Sequence, residues 1–132
     1  VVKHFLLILL IAIFGAVGAV GRYAVGLSAV HLLGDRFAFG TLTVNVIGCF
    51  LLGLLVHVGT TTELVPPDLR TALAIGLLGA FTTFSTFGYE TMKYVEDGTW
   101  QLAIANVAAN LVLGLIAAWG GLTLARYVFG GV

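Results

Sequence analysis

The sequence predicts an all-α integral membrane protein. Its four transmembrane helices form one domain over residues 1–132, with the third helix broken near its middle. Three observations lead there. Of the 132 residues, 60% are hydrophobic and only 9% charged, a balance foreign to soluble domains. Four apolar segments, each near the roughly 20 residues that cross a bilayer, cover about 5–30, 39–58, 69–94 and 100–127. Within the third lies Gly76-Leu-Leu-Gly-Ala-Phe-Thr-Thr-Phe-Ser-Thr-Phe-Gly88. Its glycines and β-branched residues weaken a helix, and its hydroxyls are costly at membrane depth unless they face protein or a water-filled path.

The first segment is bulky and continuous in its first half, and carries Gly15, Gly18, Gly21 and Gly26 in its second. Small residues at this spacing let helix backbones approach closely in lipid. The segment is too long for a signal peptide, and Arg22 and Tyr23 stand where a small-residue cleavage site belongs. Arg22 either snorkels to a headgroup layer or faces a polar vestibule. A loop over 31–37 follows, with Gly34, Asp35 and Arg36 as turn residues. In the second segment Thr41 and Asn45 share a helix face, one turn apart. The Asn45 amide needs a partner, met either by an interhelical hydrogen bond or by a pore. Cys49 is read as a small packing residue; a lone cysteine offers no intrachain disulfide or metal cluster.

The second loop spans 57–68. Pro66-Pro67-Asp68 suits the start of a helix, since proline fits the first turn and an acid favours its positive dipole end. After the third segment, Glu96-Asp97-Gly98 makes a turn and Thr99 is placed to cap the fourth helix. Along that helix Asn106, Asn110 and Gly114 recur every fourth residue and share one face. No pair of nucleophile and base appears, so enzyme chemistry is not expected.

Four spans put both termini and the second loop on one side, with Lys3, Arg70 and Arg126; the other side holds Arg36 and Lys93, with Arg22 leaning towards it. The positive-inside rule then gives almost no preferred orientation. A chain without bias can insert both ways round, and two opposite copies can pair antiparallel.

The polar inventory of the spans is neutral: hydroxyls of Thr41, Thr82, Thr83, Ser85 and Thr86, and amides of Asn45, Asn106 and Asn110. Glu90 is the single acid in an apolar segment, towards its end, where it fits a vestibule. Phe84 and Phe87 fall on one helix face. Neutral donors and the positive edges of aromatic rings suit a small anion, held loosely enough to leave again. Packing aromatics with hydroxyls bonded back along the helix remain the alternative for each residue singly. For the set this is less comfortable, because Ser and Thr fill four of the five positions 82–86. A break near Gly79 and Thr82 would expose backbone carbonyls able to hold a cation such as Na⁺.

These pieces resemble the Fluc (CrcB-type) fluoride channel family. The resemblance rests on Gly21-Arg-Tyr23, on Gly40-Thr-Leu-Thr-Val-Asn45 with Gly48 and Gly53, and on Gly79-Ala-Phe-Thr-Thr-Phe-Ser-Thr-Phe87 with Glu90. It implies an antiparallel, dual-topology homodimer in the inner (plasma) membrane. It also implies two pathways that passively export cytoplasmic fluoride. The resemblance assigns Phe84 and Phe87 as pore phenylalanines and Asn45 as a pore-facing amide. It places Ser85, Thr86 and Glu90 along a polar track towards a vestibule; Thr41 and Asn110 are counted with them as pore residues, and Asn106, with Arg22 in its vestibule reading, as vestibule residues. Gly79 and Thr82 resemble the pair whose carbonyls, from both subunits, hold a central structural Na⁺. Some relatives carry Tyr or Ser where Asn106 and Asn110 stand. The alternatives are a dual-topology exporter like the small multidrug transporters and a non-transporting assembly subunit. The first needs a glutamate in the first span, which holds no acid.

Overall fold

The computed structural model describes residues 2–131. Among them are four helical segments long and apolar enough to cross a membrane. Helix α1 is Val2–Leu33 and α2 is Phe39–Thr61. The third span, Pro67–Glu96, is the least apolar of the four. It divides into α3 (67–81) and α4 (Phe84–Glu96), joined by the two extended residues Thr82 and Thr83. The last span is α5, Trp100–Phe129.

The four spans and the interrupted third one match the sequence expectation, with differences at the ends. α1 runs on through His31 to Leu33, because Gly34 at φ +90° supplies the left-handed residue that stops it. α2 continues through His57 to Thr61, so the second loop is shorter than 57–68. The hydroxyls of Thr60, Thr61 and Thr62 bond back to carbonyls of the last turn, and Arg70 donates to Gly59 O, so the helix end is covered. Pro67 and Asp68 do start α3, and Gly98 at φ +74° makes the α4–α5 turn. Thr99 sits at the N-cap of α5 but gives it no side-chain cap. Its hydroxyl donates to Tyr94 O at 2.9 Å, closing the preceding turn instead.

One feature has no signature in the sequence reading. Between Ala72 and Leu78, α3 widens into π-helix. This stretch lies against α1. A Cβ built on Gly76 would sit 2.7 Å from Ile11 O, and one on Gly18 would collide with Leu77 O. The glycines of α1 and α3 thus let two backbones touch, as association in lipid favours. A second close seam joins α2 to α5, where Gly53 faces Ala118 O and Gly121 faces Phe50 O. The buried core is correspondingly small-residued: Ala29, Ala38, Val44, Val58, Ala72, Leu78, Ala103 and Ala125.

Candidate ion pathway at the broken helix

The break is built from side chains on either side of it. An unbroken helix would carry Thr83 N–H to Gly79 O and Thr86 N–H to Thr82 O. Neither bond forms. Thr83 N–H donates to Asn45 Oδ1 at 2.9 Å, and Thr86 N–H donates to Thr83 Oγ1 at 3.2 Å. The second contact is an N-cap, which starts α4 afresh. Asn45 Nδ2 also donates to Thr83 O at 3.2 Å. The Asn45 amide therefore grips both polar groups of the Thr83 backbone, satisfying the peptide that the break leaves bare. Thr82 keeps to α3: its N–H and its hydroxyl both donate to Leu78 O at 3.0 Å. Its methyl fills the space that a Cβ on Gly48 would occupy.

From Asn45 a line of amides runs into α5. Asn45 Nδ2 donates to Asn110 Oδ1 at 3.0 Å, and Asn110 Nδ2 donates to Asn106 O and Oδ1 at 3.0 and 3.1 Å. Asn106 Nδ2 donates to Thr91 Oγ1 at 2.9 Å, and the Thr91 hydroxyl returns to Phe87 O at 2.8 Å. Two of these links, Asn45–Asn110 and Asn106–Thr91, join helices that a hydrophobic force does not pull together in lipid; the others run within one helix.

Two clefts flank this line. The larger, about 590 Å³, is lined by Arg22, Thr41, Thr83, Thr86, Glu90 and Lys93 among others. The smaller, about 320 Å³, is lined by Asn45, Gly79, Thr82, Thr83, Phe84, Phe87 and Asn110 among others. Thr83 borders both. In the larger cleft Thr41 Oγ1 donates to Glu90 Oε1 at 3.0 Å, while Glu90 Oε2 is buried with no partner among the described residues. In the smaller, the Phe84 and Phe87 rings lie 5.5 Å apart at 57°, and Phe84 is 82% exposed.

The residues singled out in the sequence thus divide between the clefts. Arg22, Thr41, Thr86 and Glu90 fall on the larger; Asn45, Phe84, Phe87, Asn110, Gly79 and Thr82 fall on the smaller. Ser85 borders neither; it is exposed, with its hydroxyl 3.3 Å from Thr83 Oγ1. Asn106 borders neither and is 0% exposed, its amide wholly engaged with Asn110 and Thr91. Two residues carry roles that the sequence does not assign: Thr83, counted there only among the hydroxyls, which caps α4 and lines both clefts, and Thr91. Thr83 had a legible signal, a β-branched hydroxyl three residues before Thr86 at a helix restart. Thr91 had none, because its role depends on a partner in another span.

Comparison with known proteins agrees with this architecture. Residues 9–122 match the family described as CrcB-like protein, Camphor Resistance (CrcB). The chain is 50% identical over 119 residues to the fluoride-specific ion channel FluC of Geobacter sulfurreducens, covering 90% of this chain and 96% of that protein. It is 45% identical over 123 residues to the protein of the same name from Geobacter metallireducens, covering 93% and 99%. The Shewanella woodyi protein of that name is 44% identical over 114 residues, covering 86% and 91%. With the family match spanning most of its length and relatives this similar end to end, this multi-pass membrane protein belongs to the CrcB family.

Proposed function

We propose that this chain is a fluoride-selective channel that lets fluoride leave the cytoplasm passively across the plasma membrane. Its relatives are named fluoride-specific ion channels over nearly their whole length. The observation that carries the reading into this chain is that one residue, Thr83, walls both clefts, with Glu90 and Thr86 on one side and the Phe84–Phe87 pair on the other. A dehydrating anion would pass from hydroxyl donors to aromatic edges. The small multidrug-type alternative is not favoured.

The working unit in this reading is an antiparallel homodimer. What supports it is the balance of cationic residues and the exposure of Phe84, Ser85, Thr86 and Tyr89 at membrane depth, where lipid is a poor neighbour for hydroxyls. A second copy would cover them. The reading also includes a structural Na⁺ held by the Gly79 and Thr82 carbonyls of both copies. Those residues fit such an ion: the two N–H groups that an unbroken helix would aim at these carbonyls are taken by Asn45 and Thr83. Hard oxygen donors without a formal charge suit a monovalent cation. Bound there, the ion would supply a fixed positive charge at the break.

Purified protein in liposomes should release fluoride down its gradient and retain chloride. Absence of fluoride release from folded, reconstituted protein would end the channel reading. Reporters on the C-terminus test the topology: both orientations in equal amounts are expected, and one orientation alone rules out the antiparallel pair. Exhaustive exchange into Na⁺-free buffer should slow the flux, and unchanged flux counts against the ion.

A further inference from the structure

Helix α4 carries Phe84, Phe87, Thr86 and Glu90, yet none of its residues is buried. Its apolar packing is limited to half-buried residues, chiefly Phe87 and Tyr94, the latter stacked on Phe37 with ring centroids 6.2 Å apart. Rotation matters here. Phe84, Phe87 and Thr91 lie at i, i+3 and i+7 on one face, and Phe84 and Phe87 border the smaller cleft. Thr86 and Glu90 lie on the adjacent face and border the larger one. These faces are one residue apart, about 100° of helix rotation. Among the described residues three other-helix side chains bond to α4 or its cap: Asn45 at its start, Thr41 to Glu90 on the larger-cleft face, where Tyr94 also stacks on Phe37, and Asn106 to Thr91 on the phenylalanine face. The first holds the helix end and exerts little torque. Of the other two, the Thr91 tie is anchored to a fully buried amide, Asn106, that Asn110 also engages.

We infer that Asn106 and Thr91 are a positioning pair: their interhelical hydrogen bond sets the rotation of α4, and with it the direction in which Phe84 and Phe87 face. Neither residue touches the ion path. Thr91 borders neither cleft, and its hydroxyl is spent on Phe87 O once it has accepted from Asn106. Removing either partner frees α4 to turn towards the rotation that the Thr41–Glu90 bond and the Phe37–Tyr94 stack define. The inference rests on the channel reading for its functional consequence, but not for its structural one.

The test labels position 84 with 4-fluorophenylalanine and follows its fluorine resonance in the full-length protein. Position 84 is about 10 Å along the helix from Thr91, beyond direct influence of a substitution there. Thr91→Val and Asn106→Leu should each shift or split the resonance, and Thr91→Ser, which keeps the hydroxyl, should restore it. Fluoride efflux should fall about three- to tenfold in the Val and Leu variants, the weight of one interhelical hydrogen bond, and the double variant should be no slower than the slower single one. Thr91→Val is nearly isosteric and decides the matter if Asn106→Leu fails to assemble. An unmoved resonance in Thr91→Val, or a Ser variant that behaves like Val, overturns the assignment. Wild-type protein without fluoride flux would defeat the channel reading, while the resonance would still decide the role of the pair.

Discussion

The α2–α5 seam and helix α4 show two ways of holding a helix in a membrane. Along the seam, glycines bring backbone against backbone: Gly53 meets Ala118 O, Gly121 meets Phe50 O, and a Cβ on Gly114 would lie 3.5 Å from Cys49 Sγ. His57 Nε2 closes one end of it against Gly130 O at 2.8 Å. Nothing in that seam can rotate without collision. Helix α4 has no buried residue and is located by a few hydrogen bonds from Asn45, Thr41 and Asn106 and by the stacking of Tyr94 on Phe37. The difference teaches where function can reside. The helices held by steric fit offer polar groups only from fixed positions, Asn45 on α2 and Asn110 on α5. One held by a few hydrogen bonds can present a polar face on one side and aromatic rings on the other.

Substitutions can break or sharpen that contrast, and they follow in order of falling cost to the fold. Gly121→Val attacks the seam. Its Cβ meets Phe50 O, which neither helix can yield, so the cost is expected to exceed about 3 kcal/mol. Little monodisperse protein should survive detergent extraction; a normal yield with an unchanged melting temperature would show that the seam is softer than its geometry implies. Asn45→Leu attacks the joint between the two regions. It leaves the Thr83 N–H and C=O without their partner, a loss of about 1–3 kcal/mol. The protein should still assemble, with fluoride efflux at least about tenfold lower, one decade for each 1.4 kcal/mol. Wild-type efflux would mean that the break is held by something other than this amide.

Phe87→Ile tests α4 alone. The ring is half-buried beside Phe84, so stability should change by less than about 1.5 kcal/mol, within the range of one aromatic pair. Flux should nonetheless be abolished, and full flux in this variant would remove the ring from the pathway. Thr41→Val is the mildest. It deletes one interhelical bond to Glu90, worth about 0.6 kcal/mol in a membrane, and efflux should fall roughly threefold. A loss as severe as that of Phe87→Ile would show that Thr41 meets the ion itself and is more than a tie.

The sequence told some residues from others for definite reasons. The sequence places a break near Gly79 and Thr82 because β-branched residues among glycines and aromatics weaken a helix wherever it packs. The shared face of Phe84 and Phe87 followed from helical periodicity. Asn45 was left with two readings, and the structure shows its amide bonded across helices while it also borders a cleft. Thr91 and the π-widened stretch at Ala72–Leu78 escaped because nothing local marks them. Spacing puts Asn106 on one face with Asn110, and the resemblance places it towards a vestibule; in the structure it is fully buried on α5 against Thr91 of α4 and borders neither cleft.

By itself, then, the sequence determined the four spans, the helix start at Pro67, the turn residues Gly34 and Gly98, a break near Gly79 and Thr82 and the neutral polar inventory. Each of these depends on composition or on neighbours within a turn or two. Only the tertiary structure decided which groups those polar atoms meet. Asn45 reaches Thr83 across 38 residues and Asn110 across 65. Such partners are chosen by how four helices are rotated and docked, and one residue's turn about a helix axis would exchange every one of them.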